Sequence, residues 1–222
     1  KLRNSLTHTE RRLSKLQEHP FKTANDLIND YLDKQESSVQ LDTSTNTVAT
    51  VFDNVADATY QGIEIETQWV VSEHLSLFAN FGWLDAEYEN FETDINPSDG
   101  VPLIEDASFL TPRNAPEYTY GVGGTVNYEV GPGELEFFAK YAWVDEIESD
   151  LLNLDVGKLD SREDLSASIG YYYENMSVVL FGRNLTDDTF EIPFLIFPLF
   201  ASGTVTPGAT WGLTVSFDLG AN

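Results

Sequence analysis

From about residue 57 onward, apolar and polar residues alternate. In "GIEIETQWV" the side chains of Ile63, Ile65 and Trp69 fall on one side, and Glu64, Glu66 and Gln68 on the other. "EYTYGVGGTVNYEV" places Tyr118, Tyr120, Val122, Val126, Tyr128 and Val130 against Glu117, Thr119, Thr125, Asn127 and Glu129. The same period continues through "GELEFFAKYAW", "DLSASIGYYY" and "GATWGLTVSF". A period of two sustained this long predicts strands with one apolar and one polar face. Seven are well patterned, over about 59–70, 75–88, 116–130, 133–145, 163–173, 176–187 and 208–218. One or two more fit within "SSVQLDTSTNTVATVFD", residues 37–53.

The connections say what these strands build. "VSEH" (71–74), "GPG" (131–133) and "ENM" (174–176) are tight links, whereas 89–115, 146–162 and 188–207 are long. All the long loops therefore lie at one end. Strands of about 9–11 residues with short turns at one end and long loops at the other are the pattern of an outer-membrane barrel. The reading is all-β: an antiparallel up-and-down transmembrane β-barrel segment of about seven to nine strands. Trp69, Tyr120, Val122, Phe137, Tyr141, Ile169, Leu213 and Val215 are expected to face lipid. Glu64, Glu66, Thr125, Glu136, Ser168 and Thr214 are expected to face inwards. Aromatics towards strand ends (Tyr60, Tyr88, Tyr118, Trp143, Tyr171, Tyr172, Tyr173) suit interfacial girdles.

Residues 1–34 follow another rule. Leu6, Leu13 and Leu16 have helical spacing behind a Thr7-x-x-Glu10 capping box, and "TANDLINDYLDKQ" fits a second short helix. Seven Lys/Arg against five Asp/Glu give this stretch a net charge of +2, whereas the remainder carries −27. The chain thus divides into a basic leader, helical or disordered, over 1–34 and a barrel segment over 35–222.

Charge and composition narrow the function. A net charge of −25 argues against nucleic-acid binding, because phosphate contact needs the opposite sign. With no cysteine there is no disulfide framework and no thiolate metal site. No run approaches the ~20 apolar residues of a spanning helix, a test that barrel strands escape. The leader lacks the apolar core of a secretory signal.

Several stretches, in order, resemble one family. "NVADATYQGIEIETQW" is similar to the Gly-Ile-Glu strand of TonB-dependent outer-membrane receptors, and "LSLFANFGWLDAEYENF" to the strand after it. "TPRNAPEYTYGVGGTVNY" resembles their Pro-Arg-x-Ala-Pro strand entry, and "LFGRNLTDDTF" their penultimate Asn-Leu-Thr-Asp strand. "PGATWGLTVSF" resembles the closing strand, whose last aromatic serves barrel assembly in such proteins; here Asp218–Asn222 follow Phe217. The resemblance implies a wall of a barrel of about 22 strands around a plug, in the cell outer membrane. It further implies capture of a scarce nutrient such as a ferric siderophore, and energising by a TonB-type protein. No TonB box or plug is matched, so the segment is expected to be the C-terminal part of the barrel and not transport-competent alone. The alternative is a complete small barrel of about eight strands, porin-like or structural; a soluble β-sandwich fails on strand length and loop asymmetry. The upstream genomic sequence separates the first two.

Nothing in the sequence points to an enzyme. His8, His19 and His74 lie in the leader and a tight turn, and Gly121-x-Gly123 lacks the third glycine of a dinucleotide site. Glu64 and Glu66 share a face, as a glycosidase pair would, but lumen-facing carboxylates account for them. Asp94, Asn96, Ser98 and Glu105 match four positions of a calcium loop, yet Gly100 is displaced by one. A solvated acidic loop is the reading. The sequons at Asn175 and Asn184 lie in or beside strands and read as chance. No catalytic, cofactor-binding or metal-ligating residue is assigned, and no cofactor is expected. The expected partners are outer-membrane lipid, a nutrient ligand of unknown identity, and a TonB-type protein acting only through a plug.

Overall fold

The computed structural model describes residues 25–42, 47–96, 103–197 and 200–218, with side chains over 56–96, 103–192 and 202–218. Its strands are β1 (Asn25–Asp42), β2 (Thr47–Ser72), β3 (Leu75–Thr93), β4 (Glu105–Asp106), β5 (Tyr118–Val130), β6 (Gly133–Val144) and β7 (Ile147–Glu148). β8 (Lys158–Leu159), β9 (Arg162–Tyr173), β10 (Met176–Arg183), β11 (Glu191–Phe197), β12 (Phe200–Val205) and β13 (Thr210–Phe217) complete them. One antiparallel sheet runs β1-β2-β3-β5-β6-β9-β10-β13, each long strand beside its predecessor along this path. β4 adds to β3, while β7–β8 and β11–β12 are separate hairpins within the long loops. Among the described residues β1 and β13 do not pair with each other, so the sheet stays open.

Register fixes the two faces, because residues directly opposite on neighbouring strands point the same way. Phe81 lies opposite Ile65 and Tyr120; Trp143 opposite Tyr120; Phe137 opposite Val126 and Ile169; Leu180 opposite Ile169 and Leu213. The other face carries Glu66, Asn80, Gly121, Ala142 and Asp164 in one row. A second row holds Ser76, Thr125, Phe138, Ser168, Phe181 and Gly212. All eight residues expected to face lipid lie on the first face and all six expected inwards on the second. Among the described residues nothing covers the apolar face: Trp69 is 60% exposed and Leu213 64%. On that face Tyr120 stacks on Trp143 with ring centroids 5.1 Å apart.

The polar face is not uniformly polar. Phe78 and Phe138 stack across β5, 6.3 Å apart, and Thr125 is buried between their strands. A side chain at Gly123 would collide with Phe78, and one at Gly212 with Phe181. The glycines leave room for rings lying flat on the sheet, a device that pins register.

One boundary moves. The sequence spacing placed a helix over "TANDLINDYLDKQ" and began the barrel at residue 35, but β1 starts at Asn25 and pairs with β2 from Asn25↔Glu64 to Tyr31↔Ala58. A register shift between Tyr31 and Lys34 interrupts the ladder there. This bulge shifts the phase of the alternation, so the stretch does not read as a strand. The rest of the expected leader, 1–24, lies outside the described residues.

Candidate functional site

The long loops lie together at one end, opposite the turns at Glu73–His74, Gly131–Pro132 and Glu174–Asn175. At the turn end Gly131 takes φ +62°, and Glu174 adopts φ 47° without being glycine. Tyr172 reaches Glu136 on the polar face at 3.4 Å, while the Tyr171 hydroxyl donates to the Val130 carbonyl at 3.1 Å. The three consecutive tyrosines thus divide between the faces.

At the loop end a small core forms. Ala56, Ala58, Tyr88 and Phe91, from the extensions of β2 and β3, are buried with Ala107 and Leu151 from two different loops, and Tyr60 and Leu110 pack on them. Counting along the register from Glu64, Ala58, Tyr60 and Tyr88 share the face of the inward carboxylates. The loops therefore fold onto the polar face, and Tyr60 and Tyr88 belong to this core, not to an interfacial girdle. The Ala107 N–H donates to the Phe91 carbonyl at 2.7 Å and the Phe91 N–H to Ser108 Oγ at 3.0 Å. Asp106 accepts from the Ser108 N–H at 3.0 Å, and these Ser108 bonds hold its carboxyl below the usual range.

Two asparagines tie the loops to each other and to the sheet. Asn153 (φ 51°) accepts from the Thr111 N–H at 2.7 Å and donates to the Thr111 carbonyl at 3.0 Å, joining loop 145–161 to loop 94–117. Asn184 (φ 50°) donates through Nδ2 to the carbonyls of Asp188 (2.8 Å) and Pro207 (3.0 Å). Its Oδ1 accepts from the Asp188 N–H at 3.1 Å. Beside it, Asp187 accepts from the Ala209 N–H at 2.7 Å and Asp188 from the Glu163 N–H at 2.8 Å. The Asn-Leu-Thr-Asp motif is thus a clasp linking β9, β10 and the entry to β13. Asparagine suits both positions because its short amide tolerates the left-handed region.

Charge at this end is lopsided. The three loops, 94–117, 145–161 and 184–209, carry 14 Asp/Glu against 2 Lys/Arg. Of the two bases, Lys158 bonds to Glu146 at 2.8 Å, which raises its pKa, and Arg113 is also engaged. Arg162 and Arg183 lie over the rings of Phe190 and Phe181, each 5.3 Å from the centroid. Glu148, whose carbonyl accepts from the Asn114 N–H at 2.9 Å, keeps Oε2 buried without a partner. Burial raises its pKa, with Lys158 opposing and Glu146, Asp150 and Asp155 reinforcing the rise.

Of the residues weighed for chemistry, Glu64 and Glu66 take their places in the inward rows. His74 stacks on Tyr128 at 5.6 Å and pairs with Glu73 at 3.5 Å. Asp94 caps the Asn96 N–H at 3.0 Å and Glu105 pairs with Thr93 in β4; Ser98 lies outside the described residues. Among the described residues no group of three or more potential metal ligands gathers. Asn153 carried no signal within "LLNLDVG", whereas Asn184 stood out within its motif.

The family model described as TonB dependent receptor-like, beta-barrel, matches residues 27–185. The chain belongs to the TonB-dependent receptor β-barrel family. The match begins inside β1 and so agrees with the earlier start of the sheet. The fold is similar to that of the ferric yersiniabactin uptake receptor FyuA from Yersinia pestis: TM-score 0.63 and 18% identity, covering 76% of this chain and 25% of that one. It is also similar to the siderophore receptor PiuA from Acinetobacter baumannii, with TM-score 0.55, 20% identity and coverage of 87% and 26%. BauA, the ferric preacinetobactin receptor from Acinetobacter baumannii, gives 0.54, 19%, 82% and 26%. The chain spans about a quarter of the length of these receptor structures.

Proposed function

We propose that this chain is a section of wall from an outer-membrane TonB-dependent receptor that takes up a scarce nutrient, a ferric siderophore or a similar chelate. Its apolar face contacts lipid and its loop end faces the outside medium. One observation carries the reading: a single unbroken apolar face spans the sheet from β2 to β13, and every long loop sits at one end of it. The open edges at β1 and β13 favour a share of a larger barrel over a complete eight-strand one. Coupling to a TonB-type protein would run through a plug, a part these strands do not supply. These strands alone are therefore not expected to carry transport.

Expression behind a secretory signal peptide, in a Gram-negative host deficient in iron uptake, tests this. The chain is expected in the outer-membrane fraction, with no uptake of radiolabelled ferric chelate. Recovery as a soluble protein overturns the location, and chelate uptake by the chain alone overturns the assignment as a partial wall.

A further inference from the structure

Loop 145–161 is held to segment 103–117 at two points. Asn153 exchanges two bonds with Thr111, at 2.7 and 3.0 Å, and the Asn114 N–H donates to the Glu148 carbonyl at 2.9 Å. Leu151, buried with Ala107, is the apolar part of the same joint. A closely bonded turn links the two points. The Ser149 N–H and hydroxyl both donate to the Gly157 carbonyl, at 2.9 and 2.6 Å, and the Asp150 carboxylate accepts from the Leu152 N–H at 3.0 Å. A movement at Glu148 is therefore carried to Asn153.

Glu148 is the weak point of this joint. Its Oε2 is buried with no hydrogen-bond partner, a position that costs far more for a carboxylate than for a carboxylic acid. The charges around it do not relieve the cost. Lys158, directly opposite in β8, gives its ammonium to Glu146 at 2.8 Å. Glu146, Asp150 and Asp155 add negative charge from the same loop, and Arg113, beside Asn114 on the facing segment, is engaged. β7 and β8 are two residues each, so little backbone pairing resists the turning of an ionised side chain towards water. We propose that loop 145–161 is a proton-operated latch: it holds segment 103–117 while Glu148 is protonated and releases it when Glu148 ionises. The latch is closed in acid and loosens as pH rises.

The chain contains no cysteine, so nitroxide labels can be placed on one pair, Phe109→Cys and Leu154→Cys, both exposed and on opposite sides of the joint. The full chain, folded in neutral detergent micelles and diluted with unlabelled chain, is followed by electron paramagnetic resonance from pH 4 to pH 8. The distance between labels should be short and narrowly distributed at pH 4, and the distribution should broaden at least twofold by pH 8. Glu148→Gln should keep it narrow throughout, and Asn153→Ala should leave it broad throughout. Lys158→Gln removes the cation that opposes the proton, so the midpoint of the change should move to higher pH. That readout does not depend on Glu148→Gln folding. A distribution that ignores pH, or that responds equally in Glu148→Gln, overturns the latch. A midpoint that stays in place or falls in Lys158→Gln overturns it as well.

Discussion

Val122 and Gln68 are both exposed, yet a charge placed on them meets different surroundings. Val122, near the middle of β5, lies on the apolar face opposite Ala79 and Tyr141; Gln68 lies on the polar face opposite Phe78. Val122→Arg is expected to cost about 2–4 kcal/mol in a lipid-reversible folding assay, and Gln68→Arg close to nothing. Equal losses at the two positions would contradict the assignment of the faces. Thr125, also inward, is a poor control because it is buried, directly opposite Phe138. Asn184 supports a second substitution. Asn184→Asp keeps the acceptor that the Asp188 N–H uses but removes both amide donors, leaving the Asp188 and Pro207 carbonyls unanswered. The expected loss is about 2 kcal/mol in denaturant unfolding, with the same loss for Asn184→Gly, which would relieve φ but supply no amide. Full stability in Asn184→Gly would show that only the backbone conformation matters there.

Among the elements, the long strands were the most legible. Alternation placed β3, β5, β6, β9, β10 and β13 within a few residues of their observed ends, because a sheet with one face in lipid and one in water imposes the period directly on the sequence. β1 escaped for the converse reason. Leu27, Ile28, Tyr31 and Leu32 recur at helical spacing, and only pairing to β2 across a bulge makes them strand; tertiary context outweighed the local pattern. The hairpins β7–β8 and β11–β12 were hidden inside stretches that read as loop. The loop latch was hidden too, since Asn153 and Thr111 are 42 residues apart and nothing local links them. Glu148 gives that latch a pH dependence. Its folded-state pKa lies above the usual value of 4.5, so the folded loop holds its proton longer than the unfolded chain does. The contribution is complete below the unfolded value and is lost as pH rises through the folded one. Limited proteolysis within 149–161 should therefore run faster at pH 8 than at pH 4, and Glu148→Gln should make the two rates alike. An unchanged pH effect in Glu148→Gln would assign it to another group.

The whole molecule has a shape that water does not favour. Among the described residues β1 and β13 each present an unpaired ladder edge, and the face between them exposes Trp69, Val122, Phe137, Leu180, Leu213 and Val215 with no protein layer over it. Either feature alone invites association: an open edge templates another strand, and a broad apolar face excludes water by packing on its like. A charge of −25 does not prevent this, because the carboxylates gather on the polar face, the loops and the turns, while the central lipid-facing positions are apolar. In buffer without detergent the chain should elute as large aggregates rich in β structure. Micelles cover the face but not the edges, so the detergent-folded form should still self-associate slowly through β1 or β13. Placing Pro at Val215, mid-edge in β13, removes an N–H and breaks the run of the edge. Since β10 pairs with Val215 through Val178, the substitution also reports on that ladder, and a Lys at Trp211 provides a second edge variant that keeps every backbone donor. Both variants are expected to slow association in detergent at least several-fold by light scattering. A sharp monomeric peak for the unmodified chain in plain buffer would contradict both the open edges and the uncovered apolar face.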